Sequence, residues 1–180
     1  MTQTHDFSLA LAYYGRAMLE GSTDAMDEMA RIMAYGKSIE HYYQDMPSGT
    51  TQPVNQTRRM EAVNHMGDLW FFGKELPKDH EMAVRCFRIA ASGGNIAAHY
   101  SLGWCEKHGK GTAPNAELAV THLKIAADTG HPHACFTLAE CYENGEGVEQ
   151  RNEREAISLY KKAAAKGHEG ARKRLRELEK

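Results

Sequence analysis

Four side chains that could bind a metal ion lie between positions 131 and 141. They are His131, His133, Cys135 and Cys141, and histidine nitrogens with cysteine thiolates are typical zinc ligands. The spacing argues against a zinc site, because Cys135 and Cys141 fall on one predicted helix and their side chains point about 120° apart around its axis. Neither CxxC nor HExxH occurs in the chain. We therefore predict no metal site.

The motifs of nucleophilic and phosphate chemistry are also missing. The chain contains no GxSxG, no GxxxxGK[ST] and no GxGxxG after a strand, and the Gly-Lys-Gly at 109–111 falls in a predicted turn. No pattern orients a cysteine against a histidine. We expect a protein that is not an enzyme and binds no cofactor, with an enzyme or metal protein built on a repeat scaffold as the alternative.

Composition and charge exclude several classes of protein. The chain has 180 residues, 42% of them hydrophobic, which is enough for one core. Its 22 Lys and Arg against 24 Asp and Glu give a formal charge of -2, so nothing favours nucleic-acid binding. No apolar run approaches the ~20 residues of a membrane span, and the first residues do not resemble a secretion signal. Four cysteines are too few for a disulfide scaffold, which predicts a cytoplasmic protein.

A repeat of 36 to 37 residues runs along the chain. Four glycines recur at intervals of 37, 36 and 36 residues: Gly36, Gly73, Gly109 and Gly145. An alanine precedes each glycine by eleven positions: Ala25, Ala62, Ala98 and Ala134. Four residues after each alanine comes a large apolar side chain, followed at once by a small one, such as Leu102 and Gly103. This pattern predicts a first type of helix whose backbone a neighbouring helix approaches closely.

A second type of helix alternates with the first. It has alanine, a large side chain four residues on, and alanine again at seven, as in Ala119, Leu123 and Ala126. Four glycines follow these helices as predicted C-terminal caps: Gly21, Gly94, Gly130 and Gly167. Gly21 and Gly94 are 73 residues apart, which is two repeats, so one second-type helix between them has degenerated or been replaced. The chain is predicted to be all-α, with about nine short helices that depend on their neighbours for stability.

Residues 99–134 and 135–171 resemble Sel1-like repeats (SLR), relatives of the tetratricopeptide repeat. They share the order Ala, Leu-Gly or its equivalent, Gly-x-Gly, Ala-Ala and a closing Gly. The resemblance covers residues 58–180 well and 8–36 more loosely. It implies a right-handed superhelical solenoid of antiparallel helix pairs over residues 1–180, with a C-terminal capping helix at 168–180. Cysteine-rich members hold paired cysteines where this chain has Ala91, Ala127 and Ala164, so their disulfides are not expected here.

Residues 37–57 depart from the repeat. Pro47 and Pro53 lie where a helix is due, and proline removes backbone donors. An irregular segment is therefore predicted to replace one repeat helix. Tyr42 and Tyr43 in this segment form either a contact patch for a partner or a degenerate helix that fills its place in the solenoid.

The first-type helices carry aromatic side chains away from their predicted core stripe. Counted from the repeat alanine, offsets 0, +4, +7 and +8 form the core, which includes Trp70, Cys105 and Cys141, while offsets +3, +6 and +10 face elsewhere. Glu106 breaks the core stripe, either at a solvated edge or paired. The predicted partner contacts on the other face are Tyr35, His65, Asp68, Phe72, Trp104 and His108. The alternative is that these aromatic residues pack against residues 37–57.

The resemblance implies that this face lines a concave groove, and SLR proteins act mainly as adaptors or scaffolds. Some bacterial members resemble immunity partners of secreted toxins. We therefore expect a non-catalytic module that binds a protein partner on its concave face, either as a dedicated inhibitor or immunity partner of a bacterial toxin or as an adaptor. A self-assembling structural protein, such as a dimer, is the alternative.

Overall fold

A computed structural model describes residues 3–34, 54–73 and 76–178. This part of the chain contains nine α-helices and no strand. They are α1 (Gln3–Leu19), α2 (Thr23–Ala34), α3 (Gln56–Phe72), α4 (His80–Ser92), α5 (Ile96–His108), α6 (Ala116–Asp128), α7 (Pro132–Asn144), α8 (Glu153–Ala165) and α9 (Glu169–Leu178). Most of the predicted irregular segment lies outside the described residues. After it, the Asn55 side chain caps α3, which begins at Gln56.

The helices belong to two compact units, Met1–Asn95 and Ile96–Lys180. In the first unit, α3 packs along α4 and α2, and α1 contacts all three of these helices. In the second unit, α5 pairs with α6 and α7 with α8, while α6 packs against α7 and α9 against α8. Each pair combines a first-type with a second-type helix, as the alternating patterns predict.

The predicted core stripe is confirmed in the second unit. Leu102 is 2% exposed, and Cys105 and Cys141 are each 1% exposed. Burial raises the pKa of Cys105 to about 12 and that of Cys141 to about 11, so both stay protonated at neutral pH and pack as small apolar side chains. Trp70, the predicted core residue of α3, is 5% exposed.

The small residue of each repeat permits a close helix crossing, as the sequence predicts. A Cβ atom added to Gly103 on α5 would lie 3.0 Å from the Ala119 backbone oxygen and 2.9 Å from Leu123 Cγ on α6. At Gly67 on α3 the added atom would lie 2.5 Å from the Phe87 ring on α4. Any side chain at these positions therefore forces the helices of a pair apart.

Side-chain caps fix where the helices begin. Asp79, Asn115 and Asn152 accept hydrogen bonds from backbone N–H groups in the first turns of α4, α6 and α8, respectively. Such a cap is worth about 1 kcal/mol. At the other end of α7, Gly145 adopts the left-handed conformation with φ 76° and donates its N–H to the Cys141 carbonyl.

Two histidines replace asparagine as caps in the second unit. The Ala134 N–H donates to His131 Nδ1 at 3.2 Å, and the Ala171 N–H donates to His168 Nδ1 at 3.1 Å. Each Nδ1 must therefore be unprotonated, which leaves His168 Nε2–H to donate to His133 Nδ1 at 3.1 Å. The His131 ring stacks on Tyr100 and the His168 ring on Phe136.

These caps predict that the second unit loses stability in acid. Burial, with His133 nearby, lowers the pKa of His131 and of His168 below the ordinary 6.5, while Glu169 partly opposes the effect at His168. Below pH 6.5 the unfolded chain thus binds more protons than the folded chain. The free energy of unfolding therefore decreases as the pH falls, until the pH lies below the lowered pKa values of the two histidines. We expect the Tm measured by circular dichroism to drop between pH 7.5 and pH 5.5.

The matched variant is His131→Asn/His168→Asn, because asparagine caps helices without titrating in this range. Its Tm should fall less than that of the wild type over the same pH interval. The control, His108→Asn, removes an exposed histidine that caps no helix and should keep the wild-type pH dependence. Equal pH dependence in the wild type and the double variant would contradict the assignment.

Candidate protein-binding surface

Trp104 and His108 form a stacked pair on α5 in the second unit. They are four residues apart and therefore lie on the same side of the helix, with ring centroids 4.2 Å apart and ring planes 24° from parallel. His108 Nδ1–H donates to the Trp104 carbonyl oxygen at 2.8 Å, which holds the imidazole against the indole. The pair is thus fixed before any partner binds.

Charged side chains surround this pair. Glu140 on α7 is half-buried, and burial raises its pKa while Lys107 and His108 act in the opposite direction. Lys107 forms an ion pair with Glu146. Burial disfavours the charged form of Lys107, but the pairing with Glu146 favours it, and the pKa of Lys107 is raised. The surface therefore offers an aromatic platform with a carboxylate beside it, an arrangement suited to apolar and basic side chains of a partner.

In the first unit, α3 carries an exposed aromatic tip. Phe72 is 59% exposed and lies at the end of α3, where Gly73 stops the helix in the left-handed conformation. It packs edge-on against Phe71, with centroids 5.2 Å apart. His65 is exposed and Asp68 is partly buried, and burial raises the pKa of Asp68 while His65 lowers it.

The structure brings together some of the predicted contact residues. His65, Asp68 and Phe72 lie on α3, and Trp104 and His108 touch each other on α5. The predicted contacts outside the described residues are Tyr35, Tyr42 and Tyr43.

The predicted outer face needs two corrections. Trp104 is half-buried rather than fully solvent-facing, in part because His108 covers one face of its ring. Thr137, at offset +3 of α7, is 5% exposed, so the side chain at this offset points inward in α7.

Lys107, whose partner Glu146 is 39 residues away, was not identified from the sequence. Glu140 lies at offset +6 of α7, as Trp104 does of α5. This shared offset could have identified Glu140 as part of the same surface.

Two other predictions concern ionisable side chains away from this surface. Glu106 is 2% exposed, with its Oε1 atom 3.9 Å from His122 Nε2, so it is paired and does not lie at a solvated edge. Of the residues first considered for zinc, His131 caps α7 and the Cys135 thiol donates to the Ala127 carbonyl at 3.6 Å. Within the described ranges, no group of three or more His, Cys, Asp or Glu side chains is arranged to hold a metal ion.

The helices of the described residues include none that is long and apolar enough to span a lipid bilayer. All four cysteines are free thiols in the interior.

Comparison with known proteins identifies the repeat. The sequence profile of the Sel1 repeat matches residues 2–22, 61–95, 96–131 and 132–168. A Sel1 repeat protein from Oxalobacter formigenes is 34% identical, with a TM-score of 0.59 over 66% of this chain and 88% of that chain. A protective antigen of uropathogenic Escherichia coli strains, which displays an SLR fold, is 22% identical, with a TM-score of 0.62 over 93% of this chain and 36% of that chain. Comparison with curated proteins gives no match. The predicted all-α fold of SLR helix pairs is confirmed.

Proposed function

Because this chain belongs to the Sel1 repeat family, whose members are generally protein-interaction modules, we propose that it is a non-catalytic module that binds a protein partner. The proposed contacts lie on the concave side of the first-type helices. They are His65, Asp68 and Phe72 on α3, and Trp104 and His108 on α5. Tyr35, Tyr42 and Tyr43, outside the described residues, belong to the same proposal.

The Trp104–His108 pair is the observation that carries this proposal. Tryptophan is enriched among the few residues that dominate binding energy at interfaces. Its ring is held by the stack at 4.2 Å and by the hydrogen bond of His108 to the helix backbone. Binding therefore costs less side-chain entropy than it would for a freely rotating tryptophan.

The charges beside the aromatic side chains favour one kind of partner. Asp68 accompanies Phe72 in the first unit, and Glu140 accompanies Trp104 in the second. Both carboxylates are partly buried, so water screens them less than it screens fully exposed groups. The partner surface that fits best has apolar side chains next to lysine or arginine.

Among protein-binding roles, we favour binding to one dedicated partner over binding to many partners. A fixed aromatic platform suits one complementary surface, whereas proteins with many partners use surfaces that can repack. The protein then acts as an inhibitor or immunity partner of a bacterial toxin, and the adaptor role is the second candidate. A cytoplasmic setting accompanies the proposal, because the four cysteines are free.

Affinity capture from native lysate tests the proposal. The wild type is compared with the Tyr35→Ala/Phe72→Ala/Trp104→Ala variant, and mass spectrometry quantifies the captured proteins. We expect one stoichiometric protein, recovered at least roughly tenfold less with the variant because aromatic contacts of this kind each contribute over 1 kcal/mol. Tyr13→Ala is the control, since Tyr13 is an aromatic residue of α1 that is 72% exposed and belongs to none of the proposed contacts.

The captured protein also separates the two candidate roles. A single tight partner supports the dedicated inhibitor, and several weaker partners that all depend on Phe72 and Trp104 support the adaptor. Equal recovery with the wild type and the triple variant, at an unchanged Tm, would show that partner binding uses another surface. A loss of captured protein with Tyr13→Ala equal to that with the triple variant would also show that partner binding uses another surface.

A further inference from the structure

One side of α6 exposes two large apolar side chains. Leu118 is 42% exposed and Ile125 is 40% exposed. They are seven residues apart, which is about two helical turns, so they lie on the same side of the helix. A single exposed leucine is ordinary in a folded protein. Two such side chains in line form a short apolar stripe.

The repeat itself does not require apolar side chains at these positions. Counted from the first alanine of each second-type pattern, they lie at offsets -1 and +6. In α8 the equivalent residues are Glu155 and Lys162, and both are exposed. In α4 they are Met82 and Ile89, which are partly buried. Of these three helices, α6 thus exposes an apolar pair at positions where the fold accepts charged side chains.

Thr121 lies between the two apolar side chains and can be covered without loss of a hydrogen bond. It is exposed, and its hydroxyl donates to the Glu117 carbonyl oxygen, one turn earlier in α6, at 3.0 Å. Because this donor is satisfied within the helix, a surface that covers Thr121 leaves no buried donor without an acceptor. The whole stripe is therefore suited to burial against a second apolar surface.

Opposite charges flank the stripe on one side. Glu117 precedes Leu118 and Lys124 precedes Ile125, so the two charged side chains are also seven residues apart. Both are exposed, and neither forms an ion pair among the described residues. Lys124 Nζ lies 5.8 Å from the centre of the Tyr142 ring on α7. A carboxylate thus accompanies one end of the stripe and an ammonium group accompanies the other.

This order of side chains is complementary to itself. A two-fold interface brings the same patch of both copies together. When two α6 helices pack antiparallel about a two-fold axis beside Thr121, Leu118 of each copy meets Ile125 of the other. Glu117 of each copy then lies near Lys124 of the other. In a parallel pair, like charges would face each other, which is unfavourable.

We propose that α6 forms the interface of a homodimer in which the stripes of two copies pack antiparallel. One helix from each copy buries less area than a standard interface, so the dimer is weak, with a Kd on the order of 10 μM. The interface contains none of the proposed partner contacts, such as Phe72 and Trp104. Failure of this proposal and failure of the proposed function are therefore separate results.

Analytical ultracentrifugation of the full chain, at concentrations that span this Kd, tests the proposal. We expect a monomer–dimer equilibrium for the wild type. Leu118→Glu/Ile125→Glu should have a Kd at least roughly tenfold higher, because carboxylates replace apolar contacts in both copies. Its Tm should stay unchanged, since both positions are exposed in the monomer. The control is Tyr13→Glu, which changes a residue of α1 that is 72% exposed and should dimerise as the wild type does.

Exchange of the flanking charges tests the direction of packing. Glu117→Lys places a lysine near Lys124 of the second copy and should raise the Kd several-fold. Glu117→Lys/Lys124→Glu restores opposite charges and should return the Kd to the wild-type value. A wild type that stays monomeric overturns the proposal, even where this face binds another protein. Three other results also overturn it: a Leu118→Glu/Ile125→Glu variant that dimerises as the wild type does, an equal loss of the dimer in Tyr13→Glu, or equal Kd values for the two charge variants.

Discussion

Gly103→Leu is expected to destabilise the second unit by about 3 kcal/mol, at the upper end of the cost of overpacking a core. Even the first atom of the new side chain would lie 3.0 Å from the Ala119 backbone oxygen and 2.9 Å from Leu123 Cγ. The Ala119 oxygen belongs to the backbone of α6 and cannot rotate away, so α5 and α6 must separate. For a unit of this size the Tm measured by circular dichroism should fall by roughly 12 to 24 °C.

The control for this variant is Ala97→Leu, which adds the same side chain at an exposed position of α5. Its effect should stay within about 0.5 kcal/mol, as for most surface substitutions. Gly103→Ala should fall between the two variants, because it adds only the clashing Cβ atom. If the Tm of Gly103→Leu equalled the Tm of Ala97→Leu, this result would contradict the close crossing of α5 and α6.

The helix pairs and their core could be predicted because the repeat shows them several times. Burial in a helix follows a period of 3.6 residues, so Leu102, Cys105 and Cys141 were identified from their offsets alone. The close crossing at Gly103 followed from a large residue beside a small one in every repeat. Both features depend on local spacing, which the sequence states directly.

The capping histidines could not be predicted in the same way. His131 and His168 precede their helices by the spacing of an asparagine cap, but their neighbours His133 and Cys135 suggest metal ligands instead. Only the Nδ1 distances of 3.2 and 3.1 Å to the backbone N–H groups show that the rings act as acceptors. The rotamer and tautomer of a histidine decide its role, and sequence specifies neither.

The contact between Trp104 and His108 could be predicted from the sequence, but the surroundings of this pair could not. Trp104 and His108 are four residues apart, so their proximity follows from helix geometry. The half-burial of Trp104 and the inward Thr137 depend on how α7 lies against its neighbours, and this requires the structure.

Glu143 joins three helices of the second unit, and its removal is expected to have the second large effect. Tyr160 of α8 is 1% exposed and its hydroxyl donates to Glu143 Oε2 at 2.7 Å. Arg174 of α9 donates from Nε to both carboxylate oxygens, at 3.1 and 3.2 Å. Glu143→Ala leaves the Tyr160 hydroxyl buried without its acceptor and Arg174 without this partner, which should cost about 2 to 3 kcal/mol.

A double-variant cycle separates this network from a general loss of packing. Tyr160→Phe removes only the hydroxyl, so the cost of Glu143→Ala should be smaller in the Tyr160→Phe background than in the wild type. Glu149→Ala, which removes an exposed carboxylate in the turn after α7, should have little effect. Equal costs of Glu143→Ala in both backgrounds would show that the hydroxyl and the carboxylate act independently.

The pH dependence of Glu143→Ala provides a further check. Its hydrogen bond to Arg174 is the main cause that lowers the pKa of Glu143, with burial acting in the opposite direction. A carboxyl group whose pKa is lower in the folded state stabilises the fold above its unfolded value, which is 4.5 for this group, and this stabilisation is lost as the pH falls through the folded value. The difference in unfolding free energy between wild type and Glu143→Ala should therefore be full at pH 7 and should shrink in acid below pH 4.5. A difference that stayed constant into acid would assign the loss to packing of the side chain and not to its charge.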